Sequence, residues 1–263
     1  MQNKILVVGL GGTIGSVKTD TIGLDRNNLK ILERIERQDA EFVCASPFSV
    51  LSENMTIQLW KRLVEYIGGI DFSEYKGVII LHGSDTLAFT ASFIANAFPR
   101  RSIVFVASDK PIEDETANGI RNFNSAVDLI MNGCDDVYVS YDGCFRANCV
   151  SGINIEERLT SISESIPPVD SRTIYDKNIL IVNSYVNFNP DNYNLLNVDA
   201  ILVGMYHSAT APAEAIEFAQ KSPKPVYFVT HKSSAEYESA KGIENIIFNS
   251  TIENAYARLL LTK

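Results

Sequence analysis

Two rhythms of apolar residues alternate along this chain. Continuous apolar runs at Lys4 to Leu10 and Gly77 to Leu81 read as buried strands, with a short strand at Glu41 to Ala45 and another at Ser102 to Ala107. Between them fall stretches of helical period. Asn28 to Gln38 has helical charge and leucine spacing, and Leu87 to Phe98 is a largely apolar helix. Thr56 caps a third, whose apolar positions Ile57, Leu59, Leu63, Val64 and Ile67 recur at helical intervals. From Asp136 to Ser151 the pattern becomes strand, Asp142-Gly143 turn, strand, which predicts a hairpin.

The rhythm breaks between Ile155 and Tyr175, where Pro167-Pro168, serines and charges follow no period, and this stretch reads as a linker. Alternation then restarts with strands at Asn178 to Tyr185, Ala200 to Tyr206, Val226 to Thr230 and Ile246 to Asn249. Helices are expected at Ala211 to Gln220, Ala235 to Lys241 and Ile252 to Leu261. The expected fold is α/β: a larger, mainly parallel, doubly wound sheet domain with a hairpin, plus a smaller C-terminal α/β domain. The boundaries are 1–154 for the first domain, 155–175 for the linker and 176–263 for the second.

Composition narrows the function classes. The 263 residues are 46% hydrophobic and 21% charged, with a net charge of −9 and no lysine- or arginine-rich run, so neither nucleic acid nor an anionic membrane is an expected partner. The four cysteines lack CxxC spacing and a nearby histidine, so no metal site is expected; free thiols suit a reducing compartment. The chain opens directly on a strand and holds no apolar run long enough to span a bilayer, so a cytoplasmic location is expected.

The candidate chemistry lies at two strand ends. One is Gly9-Leu10-Gly11-Gly12-Thr13-Ile14-Gly15; the other is Leu81-His82-Gly83-Ser84-Asp85-Thr86. The first is not a dinucleotide fingerprint, because Ile14 stands where the third glycine belongs, and no lysine completes a phosphate loop; no cofactor is expected. The three histidines, His82, His207 and His231, form no metal-hydrolase pattern, and no GxSxG elbow occurs. His82 is expected to hydrogen-bond or pack at its strand end, and Thr86 to cap the helix that follows. Hydroxyls beside a carboxylate at the carboxyl ends of buried strands suit acyl chemistry.

These motifs, in order, resemble the bacterial-type L-asparaginase family. The GGTI segment around Thr13 and the HGSDT segment at His82 to Thr86 carry the resemblance. It extends through Ser52-Glu53-Asn54-Met55-Thr56, Asn118 to Phe123, Arg146-Ala147-Asn148 and Ser184-Tyr185-Val186. The resemblance implies hydrolysis of the side-chain amide of asparagine, or a related small amide, through a threonine nucleophile and an acyl-enzyme. Carried over, Thr13 is the nucleophile, Ser84 takes the place of a second catalytic threonine, and Asp85 orients the site and holds the substrate's α-amino group. Ser52 and Glu53 grip the substrate's charged ends, with Gly12 and Gly83 shaping the pocket. The partner implied is a small amino-acid amide, in a homo-oligomer of two or four chains. Backbone N–H groups near Gly83 and Ser84 would serve an oxyanion, each worth roughly 3 kcal/mol.

Two of the family's activating groups have no counterpart. Its lysine after the hairpin arginine falls at Gly152, and no lysine occurs between Lys110 and Lys177. The loop from Ser16 to Arg26 lacks the family's tyrosine; the first tyrosine in the chain is Tyr66. Loss of a general base costs about 10²–10⁴-fold in rate. Glu53, Arg146 and His207 are the candidates to substitute, His207 also as a substrate contact from the second domain. The alternative reading is a non-catalytic or altered-substrate member that binds a small amino acid.

Overall fold

The structure is a computed structural model that describes residues 3–12, 14 and 29–263, with the backbone alone of two short paired strands, β2 (Ser16–Lys18) and β3 (Ile22–Leu24). The first sheet is built from β1 (Lys4–Gly9), β4 (Glu41–Ala45), β5 (Gly77–Leu81), β6 (Ile103–Val106), β7 (Val137–Ser140) and β8 (Cys144–Arg146), in the order β4-β1-β5-β6-β7-β8. Its first five strands are parallel and β8 closes the edge antiparallel to β7. The Asp142-Gly143 turn has positive φ at both residues, 46° and 152°, as the hairpin signal requires.

Helices cover both faces, which explains why the strands carry apolar residues without alternation. On one face Leu6, Val8, Val78 and Ile80 meet α1 (Ile57–Gly68) and α2 (Leu87–Ala97) through Trp60, Leu63, Leu87 and Ala91. On the other, Ile5, Val7, Ile79 and Val104 meet Phe123, Val127 and Ile130 of α3 (Gly119–Met131). Thr56 caps α1 as expected, its hydroxyl accepting the Leu59 N–H at 3.3 Å. The Trp60 indole stacks on Phe93 with ring centroids 4.6 Å apart and donates its N–H to Thr90 Oγ1 at 3.0 Å inside the core.

The second sheet is parallel and in sequence order: β11 (Ile179–Asn183), β12 (Ala200–Gly204), β13 (Val226–Val229) and β14 (Ile246–Ile247). Helix α4 (Ala213–Lys221) packs on it. Helix α5 (Ile252–Leu261) follows the second sheet in sequence but lies against α2 of the first. Asn96 of α2 donates to Asn254 Oδ1 at 2.8 Å, and Ala255, Ala257, Leu260 and Leu261 join the core of α1 and α2.

Three expectations need correction. The helix expected at Asn28 to Gln38 is, over its described residues, a single 3₁₀ turn at Lys30–Arg34. The residue at its start, Leu29, has no polar side chain to cap it, and the basic residues are drawn to tertiary partners: Lys30 pairs with Glu113 at 2.6 Å and Arg34 donates to the Ile112 carbonyl at 2.6 Å. The expected helix at Ala235 to Lys241 reduces to Glu238–Ala240, where only Ala240 is buried, too little apolar surface to offset helix nucleation. The aperiodic stretch after Ile155 is tied down. It holds β10 (Leu159–Ser161), paired antiparallel to β9 (Val150–Ile153), and Asn96 accepts the Val169 and Asp170 N–H groups at 3.1 and 2.9 Å.

Candidate active site

The parallel strands of the first sheet run 2-1-3-4-5 in sequence rank, so connections diverge to opposite sides at the β1/β5 junction. Open α/β sheets bind ligands at this crevice, outside the carboxyl ends. β1 and β5 pair in register as far as Gly9 and Leu81, so the two motifs leave the sheet side by side. The Leu10 N–H donates to the Leu81 carbonyl at 3.1 Å, and the Val50 N–H to the Leu10 carbonyl at 2.9 Å. Three loops, after β1, before α1 and after β5, are thereby sewn together.

Glycine makes their close approach possible. A Cβ on Gly12, which has φ +82°, would fall 2.2 Å from the Gly83 Cα, and one on Gly83 would fall 2.4 Å from Ser52 Oγ. Ser52 opens a 3₁₀ turn (Ser52–Asn54) and is 3% exposed; its hydroxyl lies 3.4 Å from Asp85 Oδ2, at the long end of hydrogen-bonding distance. Ser84 is half-buried, while Asp85 and Glu53 are exposed. Gly12, Gly83, Ser52 and Asp85 are therefore brought together at the crossover, with Ser84 and the exposed Glu53 beside them in sequence. Thr13 lies outside the described residues; its neighbours Gly12 and Ile14 are both buried.

Thr86 is not the cap expected of it. No side-chain cap bond forms at the start of α2 among the described residues; the Thr86 hydroxyl instead donates to the Ser52 carbonyl at 2.8 Å, so two residues of this segment hold Ser52. A threonine ahead of an apolar helix looks the same in sequence whichever acceptor it finds.

His82 is fully buried behind the crevice, its Nδ1 2.8 Å from the Gly83 carbonyl and its ring edge-on to Phe105 at 6.0 Å. Burial pushes the imidazole down to about 4; the Gly83 carbonyl and the Asp85 charge pull weakly the other way. The ring is neutral at pH 7, so Nδ1 carries the proton that Gly83 accepts, and Nε2 is left buried without a partner among the described residues.

The candidate substitutes for the lysine are spread out. His207 is exposed on the turn after β12, on the second sheet. Arg146 is exposed on the hairpin, 3.8 Å from Asp136. A contact with no local signal in the sequence occurs at Gly152: Glu253 of α5 accepts its N–H at 3.2 Å and the Ser151 hydroxyl at 2.9 Å. Glu253 is 8% exposed, and its Oε2 is buried without a partner among the described residues. A Cβ on Gly152 would meet no heavy atom of the described residues within 4 Å.

A mainly parallel sheet and a second, parallel one, covered by helices, with hydroxyls and a carboxylate gathered at the first sheet's crossover, define an α/β protein with a candidate small-molecule site at its strand-end loops. Residues 4–187 match the family model described as Asparaginase, N-terminal, and the chain belongs to the asparaginase family. It is 30% identical over 144 residues to an L-asparaginase of Thermococcus kodakarensis, covering 52% of this chain and 44% of that protein. It is 27% identical over 134 residues to a glutamyl-tRNA(Gln) amidotransferase component of Aeropyrum pernix, covering 48% and 31%. The chain thus spans less than half the length of these curated relatives. Among solved structures, L-asparaginase I from Vibrio cholerae superposes with a TM-score of 0.79 at 21% identity, covering 99% of this chain and 92% of that one. The L-asparaginase of Thermococcus kodakarensis gives 0.76 at 21%, covering 98% and 92%. At that identity the structural likeness establishes the fold.

Proposed function

We propose that this chain is an asparaginase-like amidohydrolase that cleaves the side-chain amide of asparagine or a related small amide. The observation that carries the reading is the convergence of Gly12, Ser52, Gly83 and Asp85 at the β1/β5 crossover. In this reading Asp85 and Ser52 hold the substrate's ammonium and carboxylate, with Glu53 at the rim. The Thr13 Oγ attacks the amide carbon while its proton passes to a base. The tetrahedral intermediate collapses, the C–N bond breaks, and ammonia leaves with a proton. Water then cleaves the Thr13 ester, giving the carboxylate product and the free hydroxyl. The Ser84 hydroxyl acts beside the nucleophile, and backbone N–H groups of the Gly83–Ser84 turn serve the oxyanion.

The test is ammonia release from asparagine and glutamine by the purified chain. Turnover lost in both Thr13→Ala and Asp85→Ala supports the reading; ammonia release that survives either change sinks it. A second reading, binding without turnover, is favoured by glycine at position 152. It predicts asparagine or aspartate binding with no ammonia, and loss of that binding in Asp85→Ala. Gly152→Lys separates the two further, because space there admits a side chain. A chain short only of its base should gain rate, up to the 10²–10⁴-fold that general bases supply.

A further inference from the structure

We propose that the open edge of the first sheet is a docking surface for a basic, extended segment of a partner protein, which adds to β4 as a further strand. Strand β4 ends the sheet: it pairs with β1 on one side and with no other strand among the described residues. The Glu41 N–H donates to the Asn3 carbonyl at 2.9 Å. Backbone groups alternate in direction along a strand, so those of Val43 and Ala45 follow Glu41 toward β1, while those of Phe42 and Cys44 point outward. Such a row of outward groups is a template for another strand. Proteins that blunt an edge do so with lysine, proline, a bulge or a very short strand. β4 has an ordinary length of five residues, an unshifted register with β1, and neither lysine nor proline.

A groove of about 570 Å³ lies beside this edge and sets what the added strand must carry. Val43, Tyr66, Ile70 and Tyr75 supply its apolar and aromatic lining, and all four are only half-buried. Glu65, Asp71 and Glu74, all exposed, supply three carboxylates. Among the described residues no Lys, Arg or His lines the groove, and none of the three carboxylates has an ion-pair partner. Asp71 accepts the Ser73 N–H and hydroxyl at 3.0 and 2.7 Å, neutral donors that leave its charge uncompensated. A segment bringing Lys or Arg at alternate positions meets that charge, and its alkyl stems and cations suit the faces of Tyr66 and Tyr75. The same charge speaks against a second copy as the occupant. Two β4 edges facing each other would set these carboxylates against their equivalents, in chains of net charge −9 each.

The experiment uses the full chain and two end-blocked fluorescent peptides, one alternating arginine with valine and the other alternating glutamate with valine. Anisotropy titration should show saturable binding of the arginine peptide, about tenfold tighter than the glutamate peptide and weakening as salt rises. Hydrogen exchange read by NMR should slow at the Phe42 and Cys44 amides when that peptide binds, which charge attraction alone would not cause. Cys44→Pro removes an outward N–H and leaves the ladder to β1 complete, so it should weaken binding about tenfold. Glu65→Lys combined with Glu74→Lys, both at exposed positions, should weaken it about as much through charge alone, and keeps the test open if the proline variant fails to fold. Asp85→Ala should leave peptide binding intact, so failure here and failure of the amidohydrolase reading are told apart. No binding of the arginine peptide, equal binding of both peptides, binding indifferent to both edge and groove variants, or unchanged exchange at Phe42 and Cys44 would each overturn the proposal. Protection of those amides by self-association without peptide would overturn it too, in favour of a second copy.

Discussion

Gly83→Ala tests how the candidate active site is held together. The new methyl would fall 2.4 Å from Ser52 Oγ, 2.7 Å from Ser52 Cβ and 3.0 Å from the Gly12 Cα. None of these can retreat cheaply, since Ser52 is buried, its carbonyl is held by Thr86, and Gly12 is pressed against Gly83. Overpacking of this kind costs about 1–3 kcal/mol. For a chain of this size that lowers Tm by roughly 2–4 °C per kcal/mol, so a loss of about 2–12 °C is expected. The functional effect should exceed the thermal one, because the methyl pushes Ser52 off Asp85, and a displacement near 1 Å in a site costs about 10²-fold. Calorimetry of the wild type, Gly83→Ala, Ser52→Gly and the double variant completes the cycle, with asparagine titrated into each. The double variant should recover most of the Tm and none of the ligand affinity. A Gly83→Ala chain that melts and binds as the wild type does would refute the packing argument.

Two further outcomes follow from the core. His82 has its folded pKa pushed down to about 4, below the ordinary imidazole value, so the unfolded chain binds the extra proton first. Its contribution is complete above about pH 6.5 and is lost as pH falls toward 4, at up to 1.4 kcal/mol per pH unit, or about 3 kcal/mol in all. Urea denaturation from pH 7 to 4 measures that slope, and His82→Gln should flatten it. Asn96→Leu removes the carboxamide that bonds α2 to Asn254 and to the Val169 N–H; unpaired buried groups cost about 1–3 kcal/mol each, so a loss of at least 2 kcal/mol is expected by chemical denaturation.

Strands were more legible than helices in this sequence, and the reason is local. Gly77–Leu81 is bounded in the structure as its apolar run predicts, because a strand covered on both faces must be apolar throughout, and the edge strand Glu41–Ala45 also falls where it is expected. Helices whose stability comes from buried stripes, such as Ile252–Leu261, were equally clear. The expected helices at Lys30 and Glu238 shrank to single turns because charged residues there spend themselves on distant partners or on solvent. At the crossover, the family resemblance pointed to Ser52, Ser84 and Asp85, yet could not indicate that Thr86 serves Ser52 across 34 residues. Glu253 at Gly152 was invisible for the same reason, being 101 residues away.

The position of α5 bears on how this chain can be divided. A cut anywhere in 155–175 would look natural from sequence, since it separates two sheets. It would also strip α2 of its outer cover, because Leu260, Leu261 and Asn254 belong to the later piece while Phe93, Ile94 and Asn96 belong to the earlier one. Neither fragment would be self-sufficient: the first would present a bare apolar helix and the second would carry a helix covered by its own sheet on one side only. Produced together, the two fragments have every reason to find each other, and a split version of this protein would reassemble through that helix pair.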